Sequence, residues 1–221
     1  MKIAVILSGC GVYDGSEIQE SVLTLLAISE AGHHYDCFAP DISQHDVIDH
    51  CIGKPVGEAR NVLNESARIA RGEILPTTAL KIEGYDALWL PGGFGVAKNL
   101  SKWAISGPDG EVEPSVASLI RQFFKAEKSV AALCMAPTTV AKAMQDSGLE
   151  LTLTVGQNNP DIEVGLKQCG AHPVQCDSGE SIVDKEHKLV TAPCYMMPSN
   201  PATIARECRS VMAAIEALQA E

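Results

Sequence analysis

Short, almost wholly apolar runs alternate along the chain with longer amphipathic stretches. Residues 2–7 (KIAVIL), Ala87–Leu90 (ALWL) and Ser129–Leu133 (SVAAL) carry few polar side chains. That is the pattern of parallel strands buried on both faces. Residues 35–39, 151–155 and 172–175 read as further strands, and 181–183 with 188–191 as a hairpin or two short strands. Between them the apolar period lengthens to that of helices. The first, about 17–31, has Ser16 as cap with Gln19 three positions on, and stops at Gly32. Others are expected over 58–71, 96–105 (short), 114–126, 135–147, 160–169 and 200–220. The pattern is lost over 40–57, which reads as a surface insertion carrying His45 and His50, and 107–113 reads as a polar loop.

Alternating strands and helices predict an α/β fold: a mostly parallel sheet with helices on both faces, one domain over residues 1–221. Ligands of such sheets bind beyond the carboxyl ends of the strands. The turns after Leu7, Leu90 and Leu133 are therefore where chemistry is expected.

Composition narrows the chemistry. Seventeen basic against 28 acidic residues give a net charge of -11, with no basic run to offset it. Such a surface is a poor partner for nucleic acid or anionic lipid, and a small neutral substrate fits better. The apolar start is too short for a signal peptide and no stretch reaches membrane-spanning length, so a cytoplasmic location is expected. The eight cysteines are scattered without a Cys-x-x-Cys pair, which argues against disulfide staples and against a zinc site.

One cysteine stands apart. Cys134 ends a buried strand and runs straight into a helix with Pro137 in its first turn, the layout of a nucleophile elbow. The amide of Met135 then faces the same space, and the helix N-terminus favours thiolate over thiol. The same residues also fit a buried filler at a strand end. After Leu90, Gly92 and Gly93 permit close backbone approach to a ligand. Their amides are oxyanion donors if the turn lies beside Cys134; otherwise they serve a tight connection. The segment lacks the Gly-Lys-Ser/Thr of a phosphate loop. After Leu7, Gly9, Gly11 and Gly15 are spaced one residue too wide for a dinucleotide fingerprint, and Asp14, Glu17 and Glu20 would repel a pyrophosphate. A carboxyl group beside a thiolate instead tends to keep a proton and move it. Glu20 shares a helix stripe with Leu23 and Ala27, whereas Glu17 reads first as an acid complementing the helix dipole. Cys10 and Cys194 also follow strands and are candidates for the same crevice. None of the six histidines sits at a strand end as a catalytic base, and His187 reads as part of a solvated turn.

Four segments then acquire a common meaning: 6–20 (ILSGCGVYDGSEIQE), 60–72 (RNVLNESARIARG), 91–101 (PGGFGVAKNLS) and 190–196 (VTAPCYM). Together they resemble the ElbB-like proteins of the ThiJ/PfpI superfamily, whose core is shared with class I glutamine amidotransferases, over nearly the whole chain. The resemblance implies a flavodoxin-like three-layer sandwich, a homodimer, and a glyoxalase that turns glyoxal into glycolate without glutathione, metal or other cofactor, an activity tied to deglycation of early protein adducts. It matches Cys134 to the elbow cysteine, Glu20 to its acidic partner, and Gly93, Gly92 and Met135 to the oxyanion amides. Two departures stand out. The elbow reads Cys-Met-Ala-Pro where many members have Cys-x-Gly-Pro, and Thr154-Val-Gly-Gln157 stands where many carry a histidine. Two other readings remain open: a redox sensor built on the reactive cysteine, and an amidotransferase-like hydrolase completed by a partner.

Overall fold

The structure, a computed structural model, describes residues 1–220. Its strands are β1 (Lys2–Ile6), β2 (His34–Ala39), β3 (Ile48–Asp49), β4 (Lys54–Pro55), β5 (Ile74–Pro76), β6 (Ala87–Leu90), β7 (Ser129–Leu133), β8 (Thr152–Leu153), β9 (His172–Pro173), β10 (Ile182–Asp184) and β11 (Leu189–Ala192). The helices are α1 (Ile18–Glu30), α2 (Val62–Ile69), α3 (Trp103–Ser106), α4 (Pro114–Lys125), α5 (Ala136–Met144), α6 (Pro160–Gln168) and α7 (Pro201–Ala220). A seven-stranded sheet runs β10-β11-β7-β6-β1-β2-β5. Every pairing in it is parallel except β10 with β11. Helix α1 packs with α7 and α4 with α5, covering the two faces of the flavodoxin-like sandwich.

The apolar runs are buried because they are central: Ile3–Ile6, Ala87–Leu90 and Val130–Leu133 have no exposed surface. The strand order reverses at β1, whose neighbours are β2 and β6. Register does the rest. Leu90 lies opposite Ala132, and Leu133 opposite Ala192, so the turns after β6, β7 and β11 emerge side by side at one end of the sheet.

Several boundaries differ from the sequence reading, each for a local reason. Ser16 does not cap α1. Its hydroxyl accepts the Ser8 amide at 2.8 Å, and Glu17 takes the cap by accepting the Glu20 amide at 2.6 Å. Helix α2 begins only after Asn61, which caps it through the Asn64 amide at 3.0 Å. Residues 96–105 are not one helix: a π-turn over Val96–Leu100 breaks before α3. The 40–57 segment is more than a surface insertion. It contains the β3–β4 hairpin, buries Val47, and is anchored to the turn after β1 by the Ile48 amide on Asp14 at 2.7 Å. His187 sits in the β10–β11 turn as read, partly exposed, and is bound through Nδ1 to the buried Asp184 at 2.9 Å.

Candidate active site

Cys134 is positioned by strain. Its φ of 57° lies in the left-handed region, which costs a side-chain-bearing residue of order 1–3 kcal/mol and persists only where neighbours enforce it. Here the Cys134 amide is still held by the Ala192 carbonyl at 2.9 Å, as if β7 continued. The chain must nevertheless turn into α5 at once. The result is an elbow that lifts the sulfur onto the end of the sheet, where Gly93 and Met135 present backbone amides to it.

Glu20 arrives from the buried face of α1 and has no exposed surface. Its Oε2 accepts the Gly92 amide at 2.9 Å and its Oε1 the Tyr195 amide at 3.2 Å. A hydrogen bond joins the carboxyl to the Cys134 side chain. Gly92 is thus not an oxyanion donor, contrary to expectation: its N–H is already committed to orienting the acid. That leaves Gly93 and Met135 as the amides facing the sulfur. Gly92 is glycine for a steric reason. A Cβ there would lie 2.3 Å from the Cys134 Cβ and 2.6 Å from Glu20 Oε2. Gly92→Ala is accordingly expected to drive the two groups apart and lower turnover by at least about a hundredfold, the usual consequence of roughly 1 Å of misplacement; steady-state kinetics on the purified variant checks this.

Electrostatics corrects the expectation of a resting thiolate. Burial, reinforced by the nearby Glu17 carboxylate, pushes Glu20 up to about 8. Burial and then the Glu20 charge push the Cys134 thiol well above its usual range, although the Gly93 and Met135 amides pull the other way. Cys134 is only 6% exposed, and partial charge at one helix end does not offset desolvation on that scale. Both groups are therefore favoured in their protonated forms at neutral pH, Glu20 being the more acidic of the two. Glu17, beyond capping α1, is itself raised by burial.

The remaining expected residues divide. Cys194 has no exposed surface, adopts φ 46°, and shares Glu20 as a neighbour, but its hydrogen bond goes to Glu207. Cys10 lies in a different setting, half-buried among Glu65, Arg68, Asp14 and Arg60. Two contributors were missed. Tyr195 follows β11, directly after Cys194, and its amide reaches Glu20. Asn99 is buried and ties three loops together, donating to the Ser8 carbonyl at 2.8 Å and the Asp14 carbonyl at 2.9 Å and accepting the His45 amide at 2.8 Å. No periodicity announces it, since it is a polar residue turned inward from an irregular helix.

Comparison with known proteins agrees with this fold. A human protein named glutamine amidotransferase-like class 1 domain-containing protein 3, mitochondrial, is 41% identical over 202 residues, covering 88% of this chain and 75% of that protein. The crystal structure of an isoprenoid biosynthesis protein with an amidotransferase-like domain from Ehrlichia chaffeensis superposes with a TM-score of 0.91 at 32% identity, covering 98% of this chain and 99% of the other. Glyoxalase III from Candida albicans superposes with a TM-score of 0.64 over 97% of both chains, and at 12% identity that likeness is one of fold. Residues 5–194 match the DJ-1/PfpI family, so the turns that carry Cys134, Glu20, Gly93 and Cys194 all fall within the match and the chain belongs to that family.

Proposed function

We propose that this protein is a cysteine-dependent glyoxalase of the ElbB-like kind, converting glyoxal to glycolate with its own side chains and water. The observation that carries the reading is the convergence on one sulfur of a proton-holding carboxyl and two backbone amides. In the form with one shared proton, Glu20 accepts the Cys134 proton as sulfur adds to one aldehyde carbon. The former carbonyl oxygen, held by the Gly93 and Met135 amides, takes that proton to give a hemithioacetal. Glu20 then removes the hydrogen from the same carbon, and the electron pair moves through an enediol. Returning the proton to the neighbouring carbon yields the thioester of glycolate. Water attacks the thioester, the C–S bond breaks, and the thiol is restored. One carbon is oxidised as the other is reduced, so glyoxal and one water balance glycolic acid without an external oxidant.

The competing readings gain less from the geometry. A redox sensor acts through its thiolate, and burial opposes that form here. An amidotransferase-type hydrolase needs a base on the sulfur, and the side-chain partner of Cys134 is Glu20 rather than a histidine. The test is turnover of glyoxal in D2O followed by NMR. Glycolate carrying deuterium at its CH2 carbon is expected, because a proton parked on Glu20 exchanges with solvent. No glycolate above the level of a Cys134→Ser control would end the glyoxalase reading, and glycolate free of deuterium would replace Glu20 transfer by a direct hydride shift.

A further inference from the structure

We infer that Tyr195 is the gate of this site: its phenol, bound to Gln19 across the first turn of α1, sets the size of the guest that reaches Cys134. Tyr195 grips α1 at two successive residues. Its amide donates to Glu20 Oε1 at 3.2 Å, and its hydroxyl hydrogen-bonds Gln19 Oε1. The clasp closes on a carboxyl with no exposed surface, whose own partner, Cys134, is a residue only 6% exposed. A two-carbon guest therefore reaches the sulfur only when something at the rim moves.

The two arms of the clasp differ in strength. The backbone arm is fixed by Cys194, buried and held at φ 46° directly before it. The side-chain arm is one hydrogen bond between neutral groups at the surface, the kind whose net contribution is small enough to open thermally. Burial raises the phenol above its ordinary range, so it remains a donor over the working range of pH. Tyr195 is thus a specificity-determining residue with a fixed amide that holds Glu20 and a mobile ring that admits the substrate. Only the identity of the guest rests on the glyoxalase reading.

The test separates access from chemistry. Cys134 is alkylated with iodoacetamide and with a bulky N-aryl maleimide in the full-length protein, and labelling is followed by peptide mass spectrometry, because Cys10 and Cys51 are also accessible. Tyr195→Phe and Gln19→Ala remove the latch from its two ends and leave the Tyr195 amide in place. Both variants are expected to speed maleimide labelling of Cys134 roughly five- to tenfold, the opening that one neutral hydrogen bond controls. Iodoacetamide labelling should change less than about twofold, with the same pH midpoint. The preference for phenylglyoxal over glyoxal should rise by a similar factor. Unchanged maleimide rates in both variants would overturn the gate. So would equal acceleration of both reagents with a shifted pH midpoint, which would make Tyr195 merely a support of Glu20. If labelling changes as expected but no dicarbonyl is consumed by any form, the gate stands and the glyoxalase reading fails.

Discussion

Cys134→Ser is expected to lower kcat/KM for glyoxal by at least about a thousandfold while leaving the fold intact. The serine hydroxyl ionises far less readily than a thiol and is a poorer leaving group from the acyl intermediate, so both halves of the reaction are lost. The substitution is nearly isosteric, and the φ of 57° is enforced by the Ala192 carbonyl and the start of α5 rather than by sulfur. A melting temperature within a few degrees of wild type, together with the loss of turnover, separates chemistry from collapse. Retention of full activity at matched purity would remove Cys134 from the mechanism.

Glu20→Gln carries the second large effect. The amide keeps the volume and one acceptor but cannot take up or return a proton, so a loss of about 10²–10⁴ in kcat is expected, the range for a general acid–base group. The same variant reports on stability. The native state holds the Glu20 proton up to about pH 8, whereas an unfolded carboxyl releases it near its ordinary value of about 4.3. Between those values the native state binds more protons, so this residue makes the protein less stable as pH rises toward 8 and adds little further change above. Melting curves from pH 5.5 to 8.5 are therefore expected to slope downward for wild type and to flatten in Glu20→Gln. Its absolute melting temperature has no fixed sign. Glutamine has one acceptor oxygen, so its NH2 faces one of the two amides, Gly92 or Tyr195, that the carboxyl accepts, which offsets relief from the buried acid.

What could be read in advance follows the physics of each element. Ala87–Leu90 and Ser129–Leu133 were legible to the residue because strands buried on both faces leave no polar position to blur their ends. Strand β5 was invisible: Ile74–Pro76 is a partly exposed edge of three residues, paired only with β2. The β3–β4 hairpin had no local signature because its anchor, Asp14, lies in another loop. The elbow at Cys134 could be read from strand, cysteine and helix in succession. The pairing with Glu20 could not, since 114 positions separate them, and it entered through a resemblance. The state of the sulfur is not legible in the sequence, for a physical reason. A helix terminus is visible in a sequence, but desolvation depends on what the fold packs around the group, and desolvation is the larger effect here.

The most direct test of the account is the pH dependence of kcat/KM for glyoxal from pH 6 to 10. A Cys134–Glu20 pair that keeps both protons at neutrality and works with one predicts a rise of about tenfold per pH unit below pH 8, followed by a plateau. A profile already flat between pH 6 and 8 would mean that the thiolate is preformed, and would contradict the protonated resting pair on which the mechanism is built.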